Sequence, residues 1–194
     1  TGNTTLLTDR FQWNTGTLQL TAADGAALGA GWLAPTVVLR NGQTLQVDRT
    51  LSVPGDTTLL LAGGGLQAQT LRLTGGTLTS TGGALNLGQS GGDTAGHGTI
   101  AAATTLPAGR TLTVSGGAMA VGNLGSAAGF AAAGNIVVDP HQSLTLLDAD
   151  QAALGALTVL GDNSRLVSFH GASLAQGRVL RYDVPDQGVA RIQG

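Results

Sequence analysis

The sequence lacks three residue types that carry much of protein chemistry, because it contains no cysteine, no lysine and no glutamate. The absence of cysteine excludes disulfides, thiolate metal ligands and thiol nucleophiles. The absence of lysine and glutamate removes two strong helix formers and leaves nine arginines and eleven aspartates as the charged residues. The inventory of groups for acid–base catalysis is therefore small.

Charged and aromatic residues are also scarce, at 10% and 3% of the chain. A net charge of -2, a pI near 5.8 and few aromatic rings exclude a nucleic-acid-binding surface. No apolar run approaches the roughly 18 residues of a membrane span, so we expect none in this segment. The hydrophobic content of 42% predicts a folded chain rather than a disordered one.

The chain is instead rich in glycine, threonine, leucine and alanine, with 32 glycines in 194 residues. Threonine, valine and isoleucine favour strands, whereas aspartate, asparagine and glycine favour turns. This length is enough to bury a substantial core. The composition predicts an all-β fold.

A short repeat is visible in residues 70–88, TLRLTGGTLTSTGGALNLG, where alternating apolar segments are separated by glycines. Leucines recur at separations of 21, 20, 19 and 19 residues in the pairs Leu45–Leu66, Leu51–Leu71, Leu59–Leu78 and Leu66–Leu85. Three short strands with glycine, asparagine or aspartate at positive-φ corners fill one such period. Stacked coils bury the leucines that one coil cannot bury alone.

We therefore predict a right-handed parallel β-helix, a single-stranded β-solenoid of about 20 residues per coil. The predicted boundaries are an irregular or capping segment at 1–35, coils at 36–175, and a cap or the start of a linker at 176–194. A β-sandwich or barrel is the alternative, since both have short strands separated by turns. The scarcity of aromatic residues argues against a sandwich core.

Three stretches, FQWNTGTLQL, LRLTGGTLTSTGGALNLG and GHGTIAAATTLPAGRTLTVSGG, resemble the β-helix repeats of large exported bacterial proteins, the filamentous-haemagglutinin-type adhesins and autotransporter passengers. The resemblance covers roughly residues 11–170. It implies a function at the cell surface in adhesion, aggregation or biofilm. A shared fold does not identify a binding partner.

Asp93 and His97 form the most enzyme-like phrase, DTAGHGTIAAA, in which HGT is similar to the histidine motif of subtilisin-type proteases. No serine motif follows, because Ala118 and Met119 stand where the nucleophile segment would lie. We interpret the phrase as a loop at a coil corner followed by a strand from Thr99. Both residues remain weak candidates for ligand contact.

Asp148 and Asp150 lie two residues apart and would share a strand face, as paired carboxylates do in β-helix enzymes that act on polysaccharides. A loop in which Asp150 caps the following turn explains them equally well. The calcium-binding glycine-aspartate nonapeptide is not repeated. We predict no catalytic residue, no metal site and no cofactor, and keep both aspartates as candidate ligand contacts.

Trp13 and Trp32 are candidates for stacking on sugar rings. Both lie in the first segment, and the interpretation we favour is that they plug the open end of the solenoid core. Two indoles exposed on one flat face would contradict that interpretation.

The sequence thus predicts a non-enzymatic structural or adhesive segment of a secreted or cell-surface bacterial protein. Its expected partners are a host-surface or matrix component, a carbohydrate, or a second copy of itself. The alternatives are a carbohydrate-binding or polysaccharide-cleaving β-helix and a trimeric, phage-spike-like segment. An enzyme requires convergent acidic, basic or histidine side chains in a groove, whereas a stalk requires polar ladders.

Overall fold

The computed structural model describes residues 13–21, 25–30, 33–81, 85–87, 92–122, 130–147, 152–183, 189 and 191–193. Within these residues the regular structure is β-strand, and none of them belongs to a helix that could cross a membrane. The strands are β1 (Gly16–Leu20), β2 (Ala26–Ala27), β3 (Thr36–Arg40), β4 (Gln43–Pro54), β5 (Thr58–Ala62), β6 (Gly65–Ser80), β7 (Leu85–Asn86), β8 (Asp93–Ala101), β9 (Thr104–Leu106), β10 (Thr111–Val121), β11 (Phe130–Ala132), β12 (Asn135–Val138), β13 (Ser143–Leu146), β14 (Ala152–Ala153), β15 (Leu157–Gly161), β16 (Arg165–Ser168), β17 (Ala172–Ser173), β18 (Val179–Asp183) and β19 (Arg191–Gln193).

The strands stack in parallel on three faces, and the long strands bend from one face to the next. The first face begins with β1 and the first parts of β4 and β6. In later coils, the strand that precedes the second face in the sequence is β7, β9, β11, β14 or β17. The second face contains β2, the second part of β4, the middle of β6, the first parts of β8 and β10, β12, β15 and β18. The third face contains β3, β5, the ends of β6, β8 and β10, β13, β16 and β19.

The register confirms the predicted parallel β-helix. Leu45 pairs with Leu66, Leu51 with Leu71, and Leu59 with Leu78, as their separations in the sequence predict. Leu66 and Leu85 line the same cavity of about 60 Å³. All described pairings between strands are parallel and form a solenoid stack, so the alternative of a β-sandwich or barrel is wrong.

Parallel pairing extends beyond the predicted coil boundaries of 36 and 175. At the start of the chain, β1 and β2 both pair with β4. At the end, β18 pairs with β15, and β19 pairs with β16. Segments predicted as caps or a linker therefore contribute strands to the same stack.

The core is a ladder of inward side chains, because alternate residues of each strand point into the coil. Val53, Leu73 and Val114 are fully buried on the second face, and Leu59, Leu78 and Ile100 are fully buried on the third. Burying one such aliphatic side chain contributes about 1.5–3 kcal/mol. The repetition of the sequence is thus what builds the core.

The corner between the second and third faces requires positive φ angles, as the turn residues predict. Asp56, His141 and Asn163 have φ values of 61°, 63° and 51° at this corner in different coils. Gly75 and Gly96 occupy the same corner with φ values of 101° and 116°. Asparagine, aspartate and histidine are the side chains enriched in this conformation, so His141 adds a third residue type to the predicted glycine, asparagine and aspartate.

Candidate functional site

Asp93 lies at the start of β8 and is exposed on the second face. Its Oδ1 atom accepts a hydrogen bond of 2.8 Å from the backbone N–H of Thr111 in the next coil. The carboxylate therefore links two coils at the point where β10 begins. This contact gives Asp93 a framework role that does not depend on a ligand.

His97 lies within β8 at the corner between the second and third faces and is half-buried. Its Nδ1 atom lies 3.3 Å from the Ser115 carbonyl oxygen, a contact that requires the proton on Nδ1. The ring packs on the glycines of the next coil, because a Cβ atom on Gly117 would lie 2.9 Å from His97 Cγ. Asp93 and His97 thus each contact the coil above through separate backbone groups.

Of the four remaining candidate residues, the structure describes Trp13 only, and the other three lie outside the described residues. These three are Trp32, Asp148 and Asp150. Trp13 is half-buried and packs against the core, and its Nε1 atom donates to the Gly16 carbonyl oxygen at 3.1 Å. Gln43 Nε2 donates to the Trp13 carbonyl oxygen, which ties this segment to the coil beginning at β4.

The structure brings together a different set of polar side chains, centred on Asp48 at the end of the first face. Gln19 Nε2 donates to both Asp48 carboxylate oxygens at 3.1 Å. Thr21 donates to Oδ2 at 3.1 Å, and Gln46 Nε2 donates to Oδ1 at 3.4 Å. Donors from two coils therefore fix the orientation of one carboxylate.

A β-bulge lies beside this carboxylate. Val47 pairs with Ala68 and Thr50 pairs with Thr70, so Asp48 and Arg49 together face the single residue Gln69. Bulges locally disrupt the ladder and redirect side chains, and they occur often next to functional sites. We call the adjoining cavity of about 250 Å³ the Asp48 groove; it is lined by Gln46, Val47, Asp48, Gln67, Ala68 and Gln69.

The Asp48 groove presents three primary amides and one carboxylate to solvent. Gln67 and Gln69 are exposed, and among the described residues their side-chain amides make no hydrogen bond. Each amide offers both a donor and an acceptor. Within the described part of the chain no group of three or more histidine, aspartate or glutamate side chains could hold a metal ion. The chemistry that the groove offers is hydrogen bonding.

The sequence carries a signal for this site that is a repeat between coils and not a single motif. Leu-Gln-x followed by a polar residue occurs at 18–21 (LQLT), 45–48 (LQVD) and 66–69 (LQAQ). Gln19, Gln46 and Gln67 are consecutive partners across the coils. Alignment of the coils by their period, rather than a search for catalytic motifs, places these glutamines in one column.

Comparisons with known proteins do not add to this picture of the site. The chain matches no protein-family model, no curated protein and no solved structure. A function must therefore be argued from the coil stack and the side chains on its surface.

Proposed function

We propose that the chain is a non-enzymatic structural and adhesive segment of a protein exported to the bacterial cell surface. The observation that carries this proposal is the in-register parallel stack, in which β1, β4, β6, β8, β10, β12, β15 and β18 form one continuous path of paired strands. Such a stack is quasi-one-dimensional and holds its outward side chains at the strand spacing of about 4.8 Å. Reach and a repeated surface are the properties of a stalk.

Outward columns of polar residues support an adhesive role. On the third face, Thr36, Thr58, Thr77 and Thr99 are consecutive partners in four coils. On the first face, glutamines form the column next to Asp48. Repeated hydroxyl and amide groups at fixed spacing suit contact with an extended partner, such as a matrix component or a polysaccharide.

The polysaccharide-cleaving alternative needs an acid and a base that converge on one glycosidic bond. Asp93 and His97 instead bond to the backbone of the next coil, at Thr111 and Ser115. These contacts give Asp93 and His97 a framework role, whereas Asp148 and Asp150, the pair predicted for such an enzyme, lie outside the described residues. A trimeric spike differs from both in its oligomeric state, which light scattering measures directly.

Display of the chain on a non-adherent bacterium tests the proposal. We expect cells that display it to be retained several-fold better, under flow, on surfaces coated with matrix protein or polysaccharide than cells displaying the carrier alone. Purified chain incubated with the same polysaccharides should release no new reducing ends. Release of reducing ends, or retention equal to that of the carrier, would overturn the proposal.

We also expect the chain to associate end to end through its last coil. The exposed large apolar side chains of the described residues lie between 169 and 192, and they are Phe169, Leu174, Val179, Tyr182, Val189 and Ile192. Tyr182 and Ile192 are the partners of the buried Leu160 and Leu166, so they continue inward columns that a further coil would cover. Among the described strands, β18 and β19 are each paired on one side only, which leaves backbone groups at their outer edges.

Sedimentation velocity over a range of concentrations measures this association. The wild type should show a sedimentation coefficient that rises with concentration, and Tyr182→Asp with Ile192→Asp should abolish the rise. The control is Leu60→Asp, which adds a single aspartate at an outward position far from the last coil. A monomeric wild type at every concentration contradicts the expectation.

A further inference from the structure

We infer that the Asp48 groove binds a neutral polysaccharide through its amide side chains. The inference rests on the proposed adhesive function and names a contact site and a ligand class for it. The groove residues come from two successive coils, with Gln46 and Asp48 in one and Gln67 and Gln69 in the next. A ligand in the groove therefore contacts both coils at once.

The carboxylate of Asp48 acts as an anchor for the neighbouring amides. Its two oxygens already accept from Gln19, Thr21 and Gln46, which accounts for the acceptor sites of a carboxylate. Because Gln46 donates to Asp48 through Nε2, its Oε1 atom is left to accept from a ligand hydroxyl. The amide is thus oriented before any ligand arrives, which reduces the entropy lost on binding.

The charge of the groove selects among ligand classes. Asp48 is the one ionisable residue among those lining it, and Arg49 is exposed but does not line it. The Asp48 carboxylate repels carboxylated or sulfated ligands in the groove, since the Coulomb energy between nearby like charges is unfavourable. A single carboxylate whose oxygens are already bonded is also a poor site for a divalent cation. The groove is therefore suited to uncharged ligands.

The hydrogen-bonding pattern then favours sugars over other uncharged ligands. A hydroxyl group both donates and accepts, as the side-chain amides of Gln46, Gln67 and Gln69 do. Val47 and Ala68, the apolar residues of the lining, are themselves buried and offer little surface to an aromatic or aliphatic ligand. A shallow groove with several amides matches a polyhydroxylated surface.

The spacing of the glutamines favours a polymer that lies along the stack. Gln19, Gln46 and Gln67 are consecutive partners, so their backbone positions repeat at about 4.8 Å. This distance is roughly the length of one hexose ring in an extended glycan. A chain of sugars along the coil axis would therefore meet Gln46 and Gln67, the two glutamines of this column that line the groove, with successive sugars.

Titration of the full chain with soluble oligosaccharides tests the inference. The probes are neutral hexamers of β-1,4-linked glucose and of β-1,4-linked mannose, with a hexamer of galacturonic acid as the anionic comparison. Binding is followed by amide chemical shifts in ¹H–¹⁵N NMR spectra and by calorimetry. We expect at least one neutral hexamer to shift the signals of residues 46–48 and 67–69, and the anionic hexamer to bind at least about tenfold more weakly.

The double variant Gln67→Ala with Gln69→Ala should weaken binding of the neutral hexamer at least about tenfold. Gln142→Ala is the matched control, because Gln142 lies at a corner of another coil and donates to the Pro140 carbonyl oxygen. It should leave binding unchanged. Failure of both neutral hexamers to shift these signals, tighter binding of the anionic hexamer, or equal binding by the double variant would each overturn the inference.

The same double variant separates this inference from the proposed function. In the cell-retention experiment, loss of retention on a polysaccharide surface supports both. Retention that the double variant leaves intact overturns the groove as the contact site while the adhesive function stands. Retention at the level of the carrier for the wild type overturns the function itself.

Discussion

Replacement of Gly96 by alanine should destabilise the coil stack by at least about 3 kcal/mol. Gly96 has a φ of 116°, a conformation that residues with a Cβ atom rarely adopt. A Cβ atom there would also lie 1.8 Å from the Leu73 carbonyl oxygen in the coil below. Since no flexible side chain can yield, the backbone must shift, and the pairing of Leu73 with Gly96 is lost.

Gly109→Ala is the matched control for this prediction. Gly109 also has a positive φ, of 76°, but no atom lies within 4 Å of a Cβ atom added there. The substitution should therefore lower the free energy of unfolding only by the local strain of a left-handed residue, about 1–2 kcal/mol. Urea unfolding followed by far-ultraviolet circular dichroism measures both variants. Equal losses would show that the conformational strain, and not the contact with Leu73, sets the requirement for glycine.

The fold could be predicted because the apolar residues that form the core recur along the sequence with the period of one coil. In the first coils, inward leucines are stacked on leucines of the next coil, so the separation between these leucines in the sequence is also the register of the strands. Leu59 and Leu78 illustrate this, since 19 residues separate them and they are direct partners. A solenoid turns a one-dimensional period into three-dimensional contacts, which few other folds do.

The candidate site was harder to predict, for two physical reasons. First, the coils differ in length: Val47 and Ala68 are 21 residues apart, whereas Thr50 and Thr70 are 20 apart. This difference of one residue creates the bulge beside Asp48, and the sequence alone does not show at which corner the extra residue lies. Second, Asp48 draws its donors from Gln19 and Thr21 in another coil, so no local motif marks it.

Asp93 and His97 are only weak candidates for ligand contact in the sequence, and their positions show how little a local motif says about a repeat protein. Their phrase is similar to a catalytic motif, but each residue is placed by the stack. Asp93 is the partner of Thr70 in the coil below and bonds the Thr111 N–H above. In a repeat protein, the column to which a residue belongs is more informative than its sequence neighbours.

Truncation of an inward leucine should also destabilise the stack strongly. The adjacent residues Leu59 and Leu60 of β5 allow an inward and an outward leucine to be compared. Leu59→Ala should lower the free energy of unfolding by about 2–5 kcal/mol, because Leu59 is 0% exposed and its removal leaves a cavity. Its neighbours above and below are Val37 and Leu78. Urea unfolding monitored by circular dichroism measures the loss.

Leu60→Ala is the control, since Leu60 follows directly in the same strand and points to the opposite side. It is only half-buried, so its loss should be less than about 1 kcal/mol. The two variants remove the same atoms from positions one residue apart, and so strand propensity affects both alike. A larger loss for Leu60 would mean that the outward surface of the third face is itself covered. A larger loss for Leu59 assigns the stability of the stack to the leucine ladder that the sequence repeats.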